Sequence, residues 1–106
     1  MTETKTVADT LAERGARYGE FVDHAHISQA LKNILFDARP RHAYGDDMVE
    51  ALEMISHKLA RICNGDPMYS DSWTDIAGYA ELVAARLRRI ELDRLVSRAS
   101  CGESQT

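Results

Sequence analysis

Apolar residues recur every three or four positions through three long segments of this chain, and that spacing leaves few folds open. Met48, Leu52, Ile55, Leu59 and Ile62 form one row. His24, Ile27, Leu31, Ile34 and Leu35 form a second, and Trp73, Ile76, Ala80, Val83, Leu87 and Ile90 a third. An α-helix turns about 100° per residue, so each row is one apolar stripe of an amphipathic helix. No segment alternates as a half-buried strand does. Two prolines and six glycines among 106 residues leave such helices long. The reading is an all-α, antiparallel four-helix bundle-like domain, because short connections place consecutive helices side by side in opposite directions.

Local signals set the expected boundaries. Thr6 with Asp9 three residues on is a capping box for a first helix from Val7 to Arg14, and Gly15 is its expected stop. Arg14 to Gly19 then reads as a turn. A second helix spans Glu20 to Asp37, and Pro40 turns Arg39 away from helix. A third runs from Met48 to Cys63, capped by Asp46 or Asp47 and closed by Asn64-Gly65 as residues tolerant of the left-handed region. The fourth starts at Asp71 or Ser72, with Ser72-Trp73-Thr74-Asp75 as its capping box, and ends at Ser97. Residues 1–98 make one domain, and 99–106 a disordered polar tail.

Composition narrows the function classes. A net charge of −4 argues against general nucleic-acid binding. No run of about 18 apolar residues exists to span a membrane. The first residues lack the apolar core of a signal peptide, and Cys63 and Cys101 do not form a disulfide framework. The expected compartment is cytoplasmic.

The polar face of the third helix carries the candidate chemistry. Glu50, Glu53, His57 and Arg61 fall within a sector of roughly 80°, opposite the apolar stripe, with Lys58 beside it. Carboxylates suit Mg²⁺, which takes oxygen ligands and keeps phosphate and water in its shell. Lysine and arginine suit phosphate oxygens. On the fourth helix Asp71 and Asp75 lie one turn apart, with Tyr79 one turn further. Arg17 adds a cation from the first turn. The bland alternative is an ordinary amphipathic face with i,i+4 neighbours and a capped helix start. His24 reads as a core histidine, and Trp73 and Tyr79 as core aromatics with bonded polar atoms.

The run Ala51-Leu52-Glu53-Met54-Ile55-Ser56-His57-Lys58-Leu59-Ala60-Arg61-Ile62 resembles a family of small phage and prophage proteins catalogued as a domain of unknown function. Gly65-Asp66-Pro67, the segment Asp71 to Ala80, and Arg14-x-x-Arg17-Tyr18-Gly19-x-Phe21 extend that resemblance. More distantly, the third and fourth helices are similar to MazG-like all-α nucleoside triphosphate pyrophosphatases. Those hold Mg²⁺ with an ExxE pair on one helix and an ExxD pair on the next. Glu50 and Glu53 match the first pair and Asp75 the last aspartate. Ser72 stands where the other acid is expected, with Asp71 one residue earlier, and Val49 where a further acid often precedes the first pair. The resemblance implies Mg²⁺-dependent hydrolysis of an NTP or dNTP to NMP and pyrophosphate. Glu50, Glu53 and Asp75 are then catalytic, Asp71 joins them on the metal, and Lys58, Arg61, Arg17, Tyr79 and His57 contact the nucleotide. The alternative is a nucleotide-binding module without catalysis, or a phage interaction protein.

The expected fourth helix, at about 26 residues, spans roughly 39 Å, against roughly 24 Å for the third. Leu87, Ile90, Leu92, Leu95 and Val96 therefore extend past their cover. That surplus predicts a homo-oligomer, most simply a two-fold dimer, with the C-terminal half of helix 4 in the contact.

Overall fold

The computed structural model describes residues 5–104, with side chains placed for residues 5–100. Four α-helices follow in order: α1 (Val7–Tyr18), α2 (Phe21–Ala38), α3 (Asp46–Asn64) and α4 (Ser70–Ser104). A 3-10 turn over Arg41–Ala43 links α2 to α3. No strand occurs among the described residues. The fold is all-α.

α3 is the hub and packs against each of the other three helices. Two ion pairs give its direction relative to α4: Asp47, at the start of α3, meets Arg86, and Lys58, near its end, meets Asp75 at 2.9 Å. The two helices are therefore antiparallel. α2 is antiparallel to α3 as well, since His24 in its first turns meets His57, and Phe36 near its end packs edge-on to Tyr44 just before α3.

Several boundaries move from their expected places, each for a visible reason. The Thr6–Asp9 capping box forms in both directions. Gly15 does not stop α1. It stays helical with nothing within 4 Å of the space a Cβ would fill, and the helix ends only at Gly19, whose φ of 77° no L-residue adopts cheaply. Arg14 and Arg17 thus stand on a helix, not in a turn. Gly45, not Asp46 or Asp47, is the N-cap of α3. α4 begins at Ser70, which puts Ser72 inside its first turn and 4% exposed, and Asp75 turns to Lys58. The expected Ser72–Asp75 capping box therefore has no helix start to serve. At the other end α4 stays helical through Ser104, into the stretch read as a polar tail.

The core is thin. Among the described residues only Ala51 and Ala60 are buried apolar residues, with Ser56 buried between them on α3. Small side chains at these positions let α2 and α4 approach the central helix from two sides. The expected apolar stripes are only half-buried, Leu59 and Ile34 are exposed, and Trp73 is 54% exposed. Trp73 keeps its polar atom satisfied, with Nε1–H donating to the Pro67 carbonyl at 2.9 Å. The radius of gyration is 20.2 Å, against about 13 Å for a compact chain of this size. No helix among the described residues is long and apolar enough to cross a membrane.

Candidate functional site

The corner between α1 and α2 is clamped to the end of α3, and that clamp borders a concavity. Asn64 closes α3 and donates from Nδ2 to the Tyr18 and Glu20 carbonyls, each at 2.9 Å. The Asp66 N–H donates to the Arg17 carbonyl. Gly65 lies so close that a Cβ there would overlap the Arg17 carbonyl and the Tyr18 Cα. Its φ of −128° is open to any residue, so close approach, not a left-handed backbone, is what calls for glycine.

A cleft of about 530 Å³ opens beside this clamp, where α1, α2 and α3 meet. α1 contributes Leu11, Arg14 and Tyr18, the α1–α2 corner contributes Glu20, α2 contributes Phe21 and His24, and α3 contributes His57 and Arg61. The Arg61 guanidinium stacks 4.1 Å from the centre of the Tyr18 ring, which fixes its plane while leaving its N–H groups able to donate. Among the described residues, neither Arg14 nor Arg61 has a carboxylate at ion-pair distance.

Two imidazoles line the cleft floor. His24 Nε2 and His57 Nδ1 are 3.2 Å apart, with the rings edge-to-face at 4.5 Å between centres. His24 is 5% exposed, and its Nδ1 is buried without a partner. An orphaned N–H costs more than an orphaned lone pair, so the bonding pattern assigns the proton to His24 Nε2, which donates to His57 Nδ1. Burial, then Arg61, holds the His24 imidazole below its ordinary range. His57 is pushed down to about 4, first by burial, then by Arg61, with His24, Lys58 and Lys32 adding to it. Both rings are neutral at pH 7.

Arg17 faces away from this cleft. Its Nη1 donates to the Tyr69 hydroxyl at 2.9 Å, and its guanidinium lies 4.6 Å from the centre of that ring. The Tyr69 hydroxyl in turn donates to Asp71 at 2.7 Å, which raises the tyrosine pKa. Arg17, Tyr69 and Asp71 are thus one chain of bonds tying α1 to the start of α4.

Of the cationic and imidazole candidates the structure gathers His57 and Arg61 alone, since Arg17 bonds to Tyr69 and Lys58 to Asp75, and it separates the acidic ones. His57 and Arg61 share the cleft. Glu53 is held by Arg41, whose guanidinium lies over the Phe36 ring on the α2 side. Asp75 is held by Lys58 on the α4 side, and Asp71 by Tyr69. Glu50 is exposed, and Tyr79 is half-buried on α4 outside the cleft. Among the described residues no three His, Cys, Asp or Glu side chains come together in a way that could hold a metal ion. Within this single chain Glu50, Glu53, Asp71 and Asp75 stand apart from one another. The physical reason is that the polar face of α3 packs toward α2, while α4 covers a different side of α3.

Tyr18, Phe21 and His24 in the cleft, and Tyr69 outside it, had no functional role in the sequence reading. Tyr18 and Tyr69 carried no spacing signal, because each works by stacking with an arginine from another element. His24 was read as a core histidine and is buried, but its partner is a second histidine 33 positions away.

Residues 4–87 match the domain of unknown function DUF6378. The chain belongs to that family. The matched span takes in the whole α1–α2–α3 cleft, the clamp and the first half of α4, and leaves out the distal part of α4. No curated protein and no solved structure matches the chain. In this DUF6378 domain the site must accordingly be read from its own geometry.

Proposed function

We propose that this domain binds a nucleotide in the cleft between α1, α2 and α3, with the phosphates on Arg14 and Arg61 and the base against Tyr18 and Phe21. One observation carries the reading: two guanidinium groups without carboxylate partners share a concavity with two aromatic rings and a neutral imidazole pair. Phosphate oxygens need forked donors, and a base needs flat apolar surface. Binding at this site calls on no metal.

The likeness to MazG-like pyrophosphatases and to phage proteins motivates the choice of ligands, which should include common and modified NTPs and dNTPs. Calorimetry or thermal shift against such a panel should show binding that survives EDTA. Arg14→Ala and Arg61→Ala should each weaken it about 10- to 100-fold, the value of a charge-assisted hydrogen bond of about 1.5–3 kcal/mol. Arg14 is exposed on α1, so its removal leaves the fold intact and separates lost affinity from lost structure. No shift with any nucleotide at millimolar concentration would sink the proposal. Release of pyrophosphate in the presence of Mg²⁺ would instead favour the hydrolase reading, with carboxylates converging in some arrangement other than the single chain.

A further inference from the structure

α4 has two faces with different fates. One packs on α3 through Ile76, Val83 and Leu87, all half-buried. The other points away from the rest of the chain, and it too has a helical repeat. Leu82, Ala85, Arg89, Leu92, Val96 and Ala99 follow one another at intervals of three and four residues. This is the spacing of a coiled-coil seam, in which a second helix sits along the stripe. All six are exposed, with Leu82 at 71% and Leu92 and Val96 at 60%.

The surface of the whole chain indicates how much must be covered. Its accessible area is 8125 Å², whereas a folded monomer of 11.9 kDa should expose about 6,000 Å². The excess of roughly 2,000 Å² per chain is of the size that obligate homodimers bury. Helix length adds to the argument. Since Asp47 at the start of α3 meets Arg86, α4 beyond Ile90 projects past its neighbour, and residues 91–100 are all exposed.

We propose that a second copy of this chain covers that seam, with the two α4 helices antiparallel about a two-fold axis. The seam is self-complementary in this direction. Reversed on itself, it sets Leu82 against Ala99 and Ala85 against Val96, so each large side chain meets a small one. Arg89 meets Leu92, laying its aliphatic stem over the leucine while the guanidinium reaches water. The occupant is therefore the same helix in reverse, and the apolar surface left by the thin core has a definite partner. This inference is independent of what the cleft binds.

Light scattering on the full chain at micromolar concentration should give twice 11.9 kDa. Leu92→Glu with Val96→Glu should halve the mass, or lower the helicity in step with dissociation if the helices fold only when paired. Ile34→Glu, at an equally exposed apolar position on α2, should leave the dimer intact. In a background with Cys63 and Cys101 changed to serine, Ala85→Cys with Val96→Cys should form an intermolecular disulfide on oxidation. A monodisperse wild-type monomer would overturn the proposal. So would a dimer that survives the double glutamate change or is broken by Ile34→Glu.

Discussion

Gly65→Ala should lower the thermal midpoint by more than about 10 °C, while Gly15→Ala should raise it slightly. The two glycines look alike in the sequence and have opposite surroundings. At Gly65 the new methyl group would overlap the Arg17 carbonyl and the Tyr18 Cα, which are backbone atoms and cannot swing aside. The α1–α2 corner must then lift from the end of α3. That strains the two Asn64 bonds to the Tyr18 and Glu20 carbonyls and the Asp66–Arg17 bond. Overpacking costs about 1–3 kcal/mol, and each strained bond adds about 1 kcal/mol. For a domain near 100 residues each kcal/mol is worth about 4–8 °C. Gly15 lies within α1 with open space where its Cβ would be, so alanine gains helix propensity of about 0.5–1 kcal/mol. Circular dichroism melts of the two variants beside wild type test this. Equal melting of wild type and Gly65→Ala would show that the corner is not clamped as described.

The contrast between these glycines also marks what could be read from the chain. Helix number and class were legible because apolar spacing is a local property, and three stripes at that period leave no other secondary structure open. The Thr6–Asp9 cap was legible for the same reason, since both partners lie within one turn. The burial of those stripes was not legible. Spacing shows which side of a helix is apolar but not how many neighbours cover it, and α3 turned out to be packed through Ala51, Ser56 and Ala60. The candidate site divided along the same line. His57 and Arg61 share a face of α3 by helical geometry alone, and the structure keeps them together in the cleft. Bringing Glu53 to Asp75 required a particular rotation of α3 against α4, which no residue spacing encodes. Arg41 and Lys58, each near one of those carboxylates in space, took them to different sides.

As pH falls from about 6.5 to about 4, the domain should lose stability, and removing the histidine pair should flatten that loss. His57 and His24 are both held below the ordinary histidine value of 6.5 in the folded chain, His57 to about 4. A group with a depressed folded pKa takes up its proton more readily when unfolded. Across this window the unfolded chain therefore binds protons that the folded chain refuses, and acid shifts the balance toward unfolding. Above pH 6.5 the contribution is complete. The charges that depress the pair are cations: Arg61 and Lys58 on α3 and Lys32 on α2. Protonating a ring here adds positive charge beside positive charge, so the fold has no compensating gain. The carboxylates with lowered pKa are Asp9 and Asp47, with an ordinary value of 3.8, and Glu13, with an ordinary value of 4.5. They lose their contribution as pH falls through the acid end of the histidine window and below it, and the double histidine variant keeps that share while losing the rest. Thermal midpoints from pH 7.5 to 4.5 should slope downward for wild type and less so for His24→Gln with His57→Gln. A bound phosphate would supply the missing negative charge, raise both imidazole pKa values and reduce the slope. A wild-type midpoint that stays level over this range, or an equal slope in the double variant, would show that the buried pair stays uncoupled from folding.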